Sequence, residues 1–434
     1  MTRTFNSPRP LFSLLVLALA ASFSWGAAPK SKTSTKRTAV TRPASKSASK
    51  APVKKTASQA PAKKTVARSR TQNTSRAKVT ASRTVSRSKG KTKTARSRRT
   101  GNTRYVAGGP WLEPTYADST IGDVVDGEDL TVRRAAVDAL GPYNGTVVVT
   151  DPRTGRVLTI VNQRVAFRDG FQPCSTVKIY AALAGLNEGV IDRHTGMRLY
   201  GRTYMNLTDA LARSNNPYFA NLGVKLGYEK TAYYAKLFGL GEKATLNVEE
   251  ERAGSIPEAP PANGGMEMMT SFGEGIKLTP LQLAATLSAI ANGGTLYYLQ
   301  YPKSQAEVES FVPQVKRHIP MQQLIPDLTP GMLGATEYGT ARRAYYDSNE
   351  PIFGKTGTCT DRATPTHLGW FGSFNEVAGR KLVIVVLLTG GRPVNGPVAS
   401  GIAGQIYRTL SQQSYFARRN TTVSPVAVIS GSSW

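Results

Sequence analysis

From residue 27 to residue 104 the chain is built almost entirely of Ala, Ser, Thr, Lys, Arg and Pro. Such a stretch cannot bury enough apolar surface to offset the entropy of ordering it, so it reads as disordered and any core must come from the residues after Arg104. The same stretch accounts for the charge. The formal net charge of +28 points at first to nucleic acid, but up to Arg104 the chain carries 26 Lys and Arg and no acidic residue. The remainder has 30 basic against 28 acidic side chains, a nearly neutral body. The basicity belongs to a tail, which argues against a nucleic-acid-binding fold.

Ahead of the tail, residues 1–26 combine Arg3 and Arg9 with an apolar run from Leu11 to Phe23 and small residues after it, the pattern of an export signal. The run is shorter than the roughly 20 residues a spanning helix needs, which favours cleavage after Gly26 over an uncleaved anchor. Lys30, Lys32, Lys36 and Arg37 come soon after it and oppose translocation. The expected location is the bacterial periplasm or cell envelope. In an oxidising compartment Cys174 and Cys359 can pair, or they can remain two small buried thiols. His194, His318 and His367 form no H-E-x-x-H motif and no Cys/His cluster, so neither a metal nor another cofactor is expected, and a Ser-His-Asp triad has no obvious home.

Foldable patterns start with "DLTVRRAAVDAL", whose Val132, Ala135, Ala136 and Leu140 recur at helical spacing and suit an approach helix on the domain edge. "GTVVVTDPRTGRVLTIVN" reads as a hairpin turning at Pro152 to Gly155. Helices fill the middle: the segment around Ser175, "NLTDALAR", "NPYFANLGVKLG", "TAYYAKLFG" and "TPLQLAATLSAIANGG", the last capped by Thr279 and ended by Gly293. Two late strands, "HLGWFGSF" and the wholly apolar "KLVIVVLLTG", precede a final helix near "SGIAGQIYRTLSQQ". Strands from both ends with helices between imply an α+β domain, one central mainly antiparallel sheet flanked by helices. The expected organisation is signal 1–26, basic tail 27–105, linker and approach helix 106–142, one large domain 143–415 and a loose tail 416–434.

Three short elements occur in order: Ser175-Thr-Val-Lys178, Ser214-Asn215-Asn216 and Lys355-Thr356-Gly357-Thr358. S-x-x-K alone says little, because Ser47-Ala-Ser-Lys50, Ser75-Arg-Ala-Lys78 and Ser86-Arg-Ser-Lys89 repeat it in the tail. Only Ser175 comes shortly after a proline and opens an apolar helical run, "TVKIYAALAGL", and on a helix positions i and i+3 share a face. A serine there has the positive end of the helix dipole behind it, and a partly desolvated lysine one turn on can take its proton. Bland readings exist for each piece. Ser214-Asn-Asn before Pro217 could simply cap a helix. Lys355 could be a solvated strand-end charge, and Gly354-Lys355-Thr356 half of a phosphate loop, although Asn349 stands where that loop's first glycine belongs. His367, Trp370 and Phe371 suit strand packing, and Met266, Met268 and Met269 suit loop packing better than a ligand set.

The three elements, with "ALARSNNPYFANLG" and "GKTGT" before "HLGWFGSF", resemble the motif set of the penicillin-recognising serine enzymes, and above all the transpeptidase domain of penicillin-binding proteins. The resemblance covers roughly residues 145–410. It implies Ser175 as nucleophile, Lys178 as its base, and Ser214 and Lys355 relaying protons and lowering that base's pKa. It implies Asn216, Thr356, Gly357 and Thr358 in substrate binding, and the backbone N–H groups of Ser175 and Thr358 as oxyanion hole. It also implies that Cys174 and Cys359, one residue outside the first and last elements, form a disulfide stapling the walls of the site, as in similar carbapenem-hydrolysing β-lactamases. The family's usual glycine before the serine is here Cys174, and the short interval from Ser175 to Ser214 implies a reduced helical subdomain.

On this resemblance the chain is expected to be a D,D-transpeptidase acting on peptidoglycan stem peptides and acylated by β-lactams. A D,D-carboxypeptidase or β-lactamase would use water as acceptor, but the glutamate-x-x-Leu/Ile-Asn loop of the disulfide-bearing β-lactamases has no match between Ser214 and Lys355. A third reading is a non-catalytic sensor whose tail, with 24 positive residues from Lys30 to Arg104, binds envelope polyanions or other cell-wall synthesis proteins. That tail could equally be a solvated spacer crossing the envelope.

Overall fold

The computed structural model describes residues 111–361 and 364–417. The expected export signal, the basic tail and most of the expected C-terminal tail lie outside the described residues.

From the N-terminal side come α1 (Leu130–Leu140), β1 (Gly145–Asp151), β2 (Arg156–Val161), α2 (Gln163–Ala166), a 3-10 turn (Cys174–Val177) and α3 (Lys178–Asn187). Next are β3 (Met197–Tyr200), β4 (Thr203–Met205), α4 (Leu207–Ala212), α5 (Asn216–Leu237), α6 (Gly265–Phe272) and α7 (Pro280–Ala291). The remainder is β5 (Thr295–Tyr297), α8 (Gln305–Glu309), β6 (Val315–His318), α9 (Ile325–Glu337), β7 (Ile352–Asp361), β8 (Thr366–Val377), β9 (Arg380–Gly390) and α10 (Gly396–Gln412).

Five strands form an antiparallel sheet in the order β2-β1-β9-β8-β7, so the wholly apolar β9 is central and β7 is an edge. The alternation of side chains along β9 explains its composition. Val383, Val385 and Leu387 enter one core with α3 and α7, while Leu382, Ile384, Val386 and Leu388 enter a second with α1 and α10. A strand covered on both faces has no polar side. All twelve residues of α7 are buried, matching a helix without a polar stripe. It starts with a capping box of Thr279 and Gln282. Gly372 on β8 lets α7 close in, since a Cβ there would come within 2.7 Å of Leu287 and 3.0 Å of Leu283.

Some expectations need correction. Residues 111–142 are no linker: Val132, Ala135, Ala136 and Leu140 belong to the second core, and the Asn144 side chain donates to the Pro114 carbonyl. The far boundary moves too, because Phe416 is buried beside Tyr415, whose hydroxyl donates to Asp129 at 2.9 Å. The two helices expected over 216–239 are both present, running on from each other within α5 and separated at Gly227, whose φ of 75° and ψ of 172° are not helical. Met266, Met268 and Met269 sit on α6, not on a loop, and Met269 is fully buried in the first core. Between α3 and Ser214 only the β3–β4 hairpin and α4 are present, in keeping with a reduced helical subdomain. Among the described residues no helix is long and apolar enough to cross a membrane.

Candidate active site

The site lies where the 3-10 turn at the start of α3, the α4–α5 junction and the edge strand β7 converge. Ser175 stands in the turn, and its Oγ accepts from Lys178 Nζ at 3.0 Å. The turn is tightly held: Thr176 donates both backbone N–H and hydroxyl to Pro173 O, and Trp370 Nε1 donates to Gln172 O. At the α4–α5 junction Ser214 takes φ 54°, in the left-handed region that a serine seldom occupies. That bend puts both its oxygens on Lys178, Nζ to O at 2.9 Å and Nζ to Oγ at 3.1 Å. The helix-cap reading of Ser214-Asn-Asn holds for its middle residue only: Asn215 caps α5 by accepting from Tyr218 N, which leaves its two neighbours turned to the site.

Lys355 on β7 completes the set. Its Nζ donates to Ser214 Oγ at 2.8 Å and to Thr356 O at 3.0 Å. One hydroxyl thus bridges two lysines, both wholly buried. Among the described residues neither lysine has a carboxylate in ion-pair range, so no opposite charge offsets their burial. Burial first, and the Lys355 charge second, push Lys178 down to about 6, and burial pushes Lys355 down to about 7. A neutral lysine amine beside a serine hydroxyl is chemically able to accept its proton at neutral pH.

The remaining expected residues divide. Asn216 Oδ1 accepts from Lys178 Nζ at 2.5 Å, so its carbonyl end is engaged by that lysine. Gly357 is where β7 meets the turn that carries Ser175: a Cβ would stand 3.0 Å from Pro173 O and 3.2 Å from Cys174 Cβ. Thr358 is exposed and its Oγ1 accepts from Gly396 N at 2.8 Å. Thr356 is buried, its hydroxyl 2.6 Å from that of Thr340. Thr340 was not visible from the sequence as a site neighbour. It lies in the segment after α9, and no motif links it to a strand 16 residues on. Cys174 and Cys359 are disulfide-bonded with Cα atoms 5.5 Å apart across 185 residues, and Cys174 has φ 50°. Among the described residues no group of His, Cys, Asp and Glu is arranged to hold a metal ion.

Comparison with known proteins places this arrangement. The sequence profile described as "Penicillin binding protein transpeptidase domain" matches residues 145–411. The chain is similar to stage V sporulation protein D of Bacillus subtilis, 27% identical over 62% of this chain and 48% of that protein. It is 26% identical to peptidoglycan D,D-transpeptidase MrdA of Escherichia coli, over 53% of this chain and 46% of MrdA. Peptidoglycan D,D-transpeptidase PbpA of Mycobacterium tuberculosis is 25% identical over 64% of this chain and 70% of PbpA. The chain therefore spans about half the length of the first two of these relatives. Among solved structures, Pseudomonas aeruginosa PBP2 in complex with WCK 5153 superposes with a TM-score of 0.55 at 23% identity, over 67% of this chain and 75% of that one, a likeness of fold.

Proposed function

The chain belongs to the family of penicillin-binding protein transpeptidase domains, and from that premise we propose that it is a serine D,D-transpeptidase cross-linking peptidoglycan stem peptides through an acyl-enzyme on Ser175. The observation that supports the reading is the hydrogen-bonded line Ser175 Oγ, Lys178 Nζ, Ser214 Oγ, Lys355 Nζ, with both lysines buried and, among the described residues, no carboxylate paired with either. Lys178 Nζ takes the Ser175 proton as Oγ attacks the carbonyl carbon of the penultimate D-Ala, and the carbonyl electron pair moves to oxygen. The backbone N–H groups of Ser175 and Thr358 receive that oxyanion. Collapse breaks the C–N bond, and the departing D-Ala nitrogen takes the proton back from Lys178 by way of the Ser214 hydroxyl. An amine of a second stem peptide then attacks the ester, giving its proton to the same pair, and Ser175 Oγ leaves protonated.

Thr358 and Thr356 offer hydroxyls for the terminal carboxylate, and Asn216 faces the peptide amide once Lys178 shifts. β-Lactams acylate the same serine because their strained amide presents the same carbonyl. The protein acts in the envelope, with the basic tail as spacer or polyanion contact. Water in place of the amine would make it a carboxypeptidase on the same residues.

Intact-protein mass spectrometry with a penicillin, beside Ser175→Ala, tests the reading. A stable adduct of one drug mass on the wild type alone is the expected result. Cross-linking assays then separate a transpeptidase from a sensor. A transient adduct with drug turnover makes the protein a β-lactamase, and no adduct overturns the assignment.

A further inference from the structure

Four oxygens hold Lys178 Nζ: Ser175 Oγ, both oxygens of Ser214 and Asn216 Oδ1. A further neighbour is not polar. The nitrogen also lies over the Phe219 ring, 5.6 Å from its centroid. Phe219 is on α5 three residues after Asn216, so it shares the helix face that brings Asn216 to the lysine. The ring is fully buried, and Tyr218 meets it edge-on with centroids 5.3 Å apart. Its backbone is held as well, because Thr270 of α6 donates its hydroxyl to the Phe219 carbonyl at 2.8 Å. Gly223, one turn further along α5, lets α6 seat this closely: a Cβ there would stand 2.1 Å from Thr270 Oγ1.

The face of an aromatic ring is negative and attracts a cation within about 6 Å, more strongly where water is excluded. The groups that face Lys178 are Ser175 from the turn, Ser214 and Asn216 from the α4–α5 junction, Phe219 from α5 and the charge of Lys355 from β7. Lys355 repels an ammonium at that position. Among the described residues no carboxylate is paired with Lys178, so what attracts its charge is a set of neutral oxygens and this ring.

We propose that the face of the Phe219 ring stabilises the ammonium that forms on Lys178 when it takes the Ser175 proton. The inference rests on the proposed acyl transfer at Ser175 and makes Phe219 a positioning residue that acts through Lys178. As Ser175 Oγ bonds to the carbonyl carbon, its O–H bond breaks, an N–H bond forms on Lys178 and the new positive charge appears over the ring. A ring with a less negative face leaves that ammonium less stable. Lys178 then gives up its proton at lower pH, and the acid side of the rate profile moves down with it.

The test uses the full chain with Phe219 replaced in turn by mono-, di- and trifluorinated phenylalanine. These keep the ring at close to its own size while making its face progressively less negative. Phe219→Leu removes the ring altogether. Penicillin acylation of Ser175 is timed from pH 5 to pH 8. The wild-type rate is expected to fall on the acid side with a midpoint at about pH 6. Fluorination should move that midpoint stepwise to lower pH, by about half to one pH unit for the trifluorinated ring, the size of a desolvated cation–ring contact. Phe219→Leu should move it in the same direction. A midpoint that stays in place across the series, or that shifts without following the degree of fluorination, would overturn the role of the ring and leave acyl transfer standing. A wild-type rate that is flat with pH, or no acylation at all, removes Lys178 as the base and the role of the ring with it.

Discussion

On one face of β7 stand Lys355, Gly357 and Cys359, turned towards Ser214 and the turn that carries Ser175; on the other stand Thr356, Thr358 and Thr360, turned towards Thr340, the start of α10 and solvent. Both faces come from one ten-residue strand, yet their chemistry differs in kind. The first face holds a buried ammonium, a contact that excludes any side chain and a covalent tie. The second holds hydroxyls. On the proposed function, period-two alternation lets one edge strand serve proton transfer on one side and recognition on the other, with its own backbone edge between them.

Breaking the first face should have the larger effects. Lys355→Met removes the cation that bonds Ser214 and depresses Lys178; penicillin acylation should slow by about 100- to 10,000-fold in stopped-flow measurements. In the wild type the same step should slow about tenfold per pH unit as pH falls below about 6, because Lys178 then holds its proton and cannot accept that of Ser175. A rate flat across that range would show that Lys178 is not the base.

Cutting the covalent tie with Cys174→Ser and Cys359→Ser together should lower unfolding free energy by about 2–5 kcal/mol in denaturant titrations, and acylation should slow as β7 moves relative to Ser175. Gly357→Ala puts a methyl against Pro173 O and Cys174 Cβ. We expect about 1–3 kcal/mol of destabilisation together with slower acylation. The second face should respond mildly. Thr356→Val removes a hydroxyl paired with Thr340 and should raise the donor KM with little change in kcat, an effect of about 1 kcal/mol. A larger loss in kcat than in Lys355→Met would reverse the division of labour between the faces.

Much of the fold was legible because its periodicities are local. The apolar β9, the β1–β2 hairpin and the Thr279 cap of α7 arise from neighbouring residues alone. Less legible was α9, where Pro326, Pro330, Gly331 and Gly334 argue against a helix. Packing overrides that preference. A Cβ on Gly331 would meet Leu211 of α4 at 2.7 Å, so the small residues that weaken α9 by itself are what let it approach α4. The β3–β4 hairpin was hidden for the opposite reason, since its exposed Tyr200 and Tyr204 leave no buried alternation to read.

The sequence by itself determined the order of the three motifs, the separation of a basic tail from a nearly neutral domain, and the helix start that sets Ser175 apart from the S-x-x-K repeats of the tail. Only the tertiary structure decided what those residues do to each other. Lys178 meets Ser214 across 36 residues, Lys355 meets Ser214 across 141, and Cys174 meets Cys359 across 185. Such contacts depend on which strand forms the sheet edge and how closely a glycine lets it approach, and no local period encodes either. The lowered pKa values of the two lysines arise in the same way, because desolvation comes from the whole shell of residues packed around an ammonium and not from its neighbours in the chain.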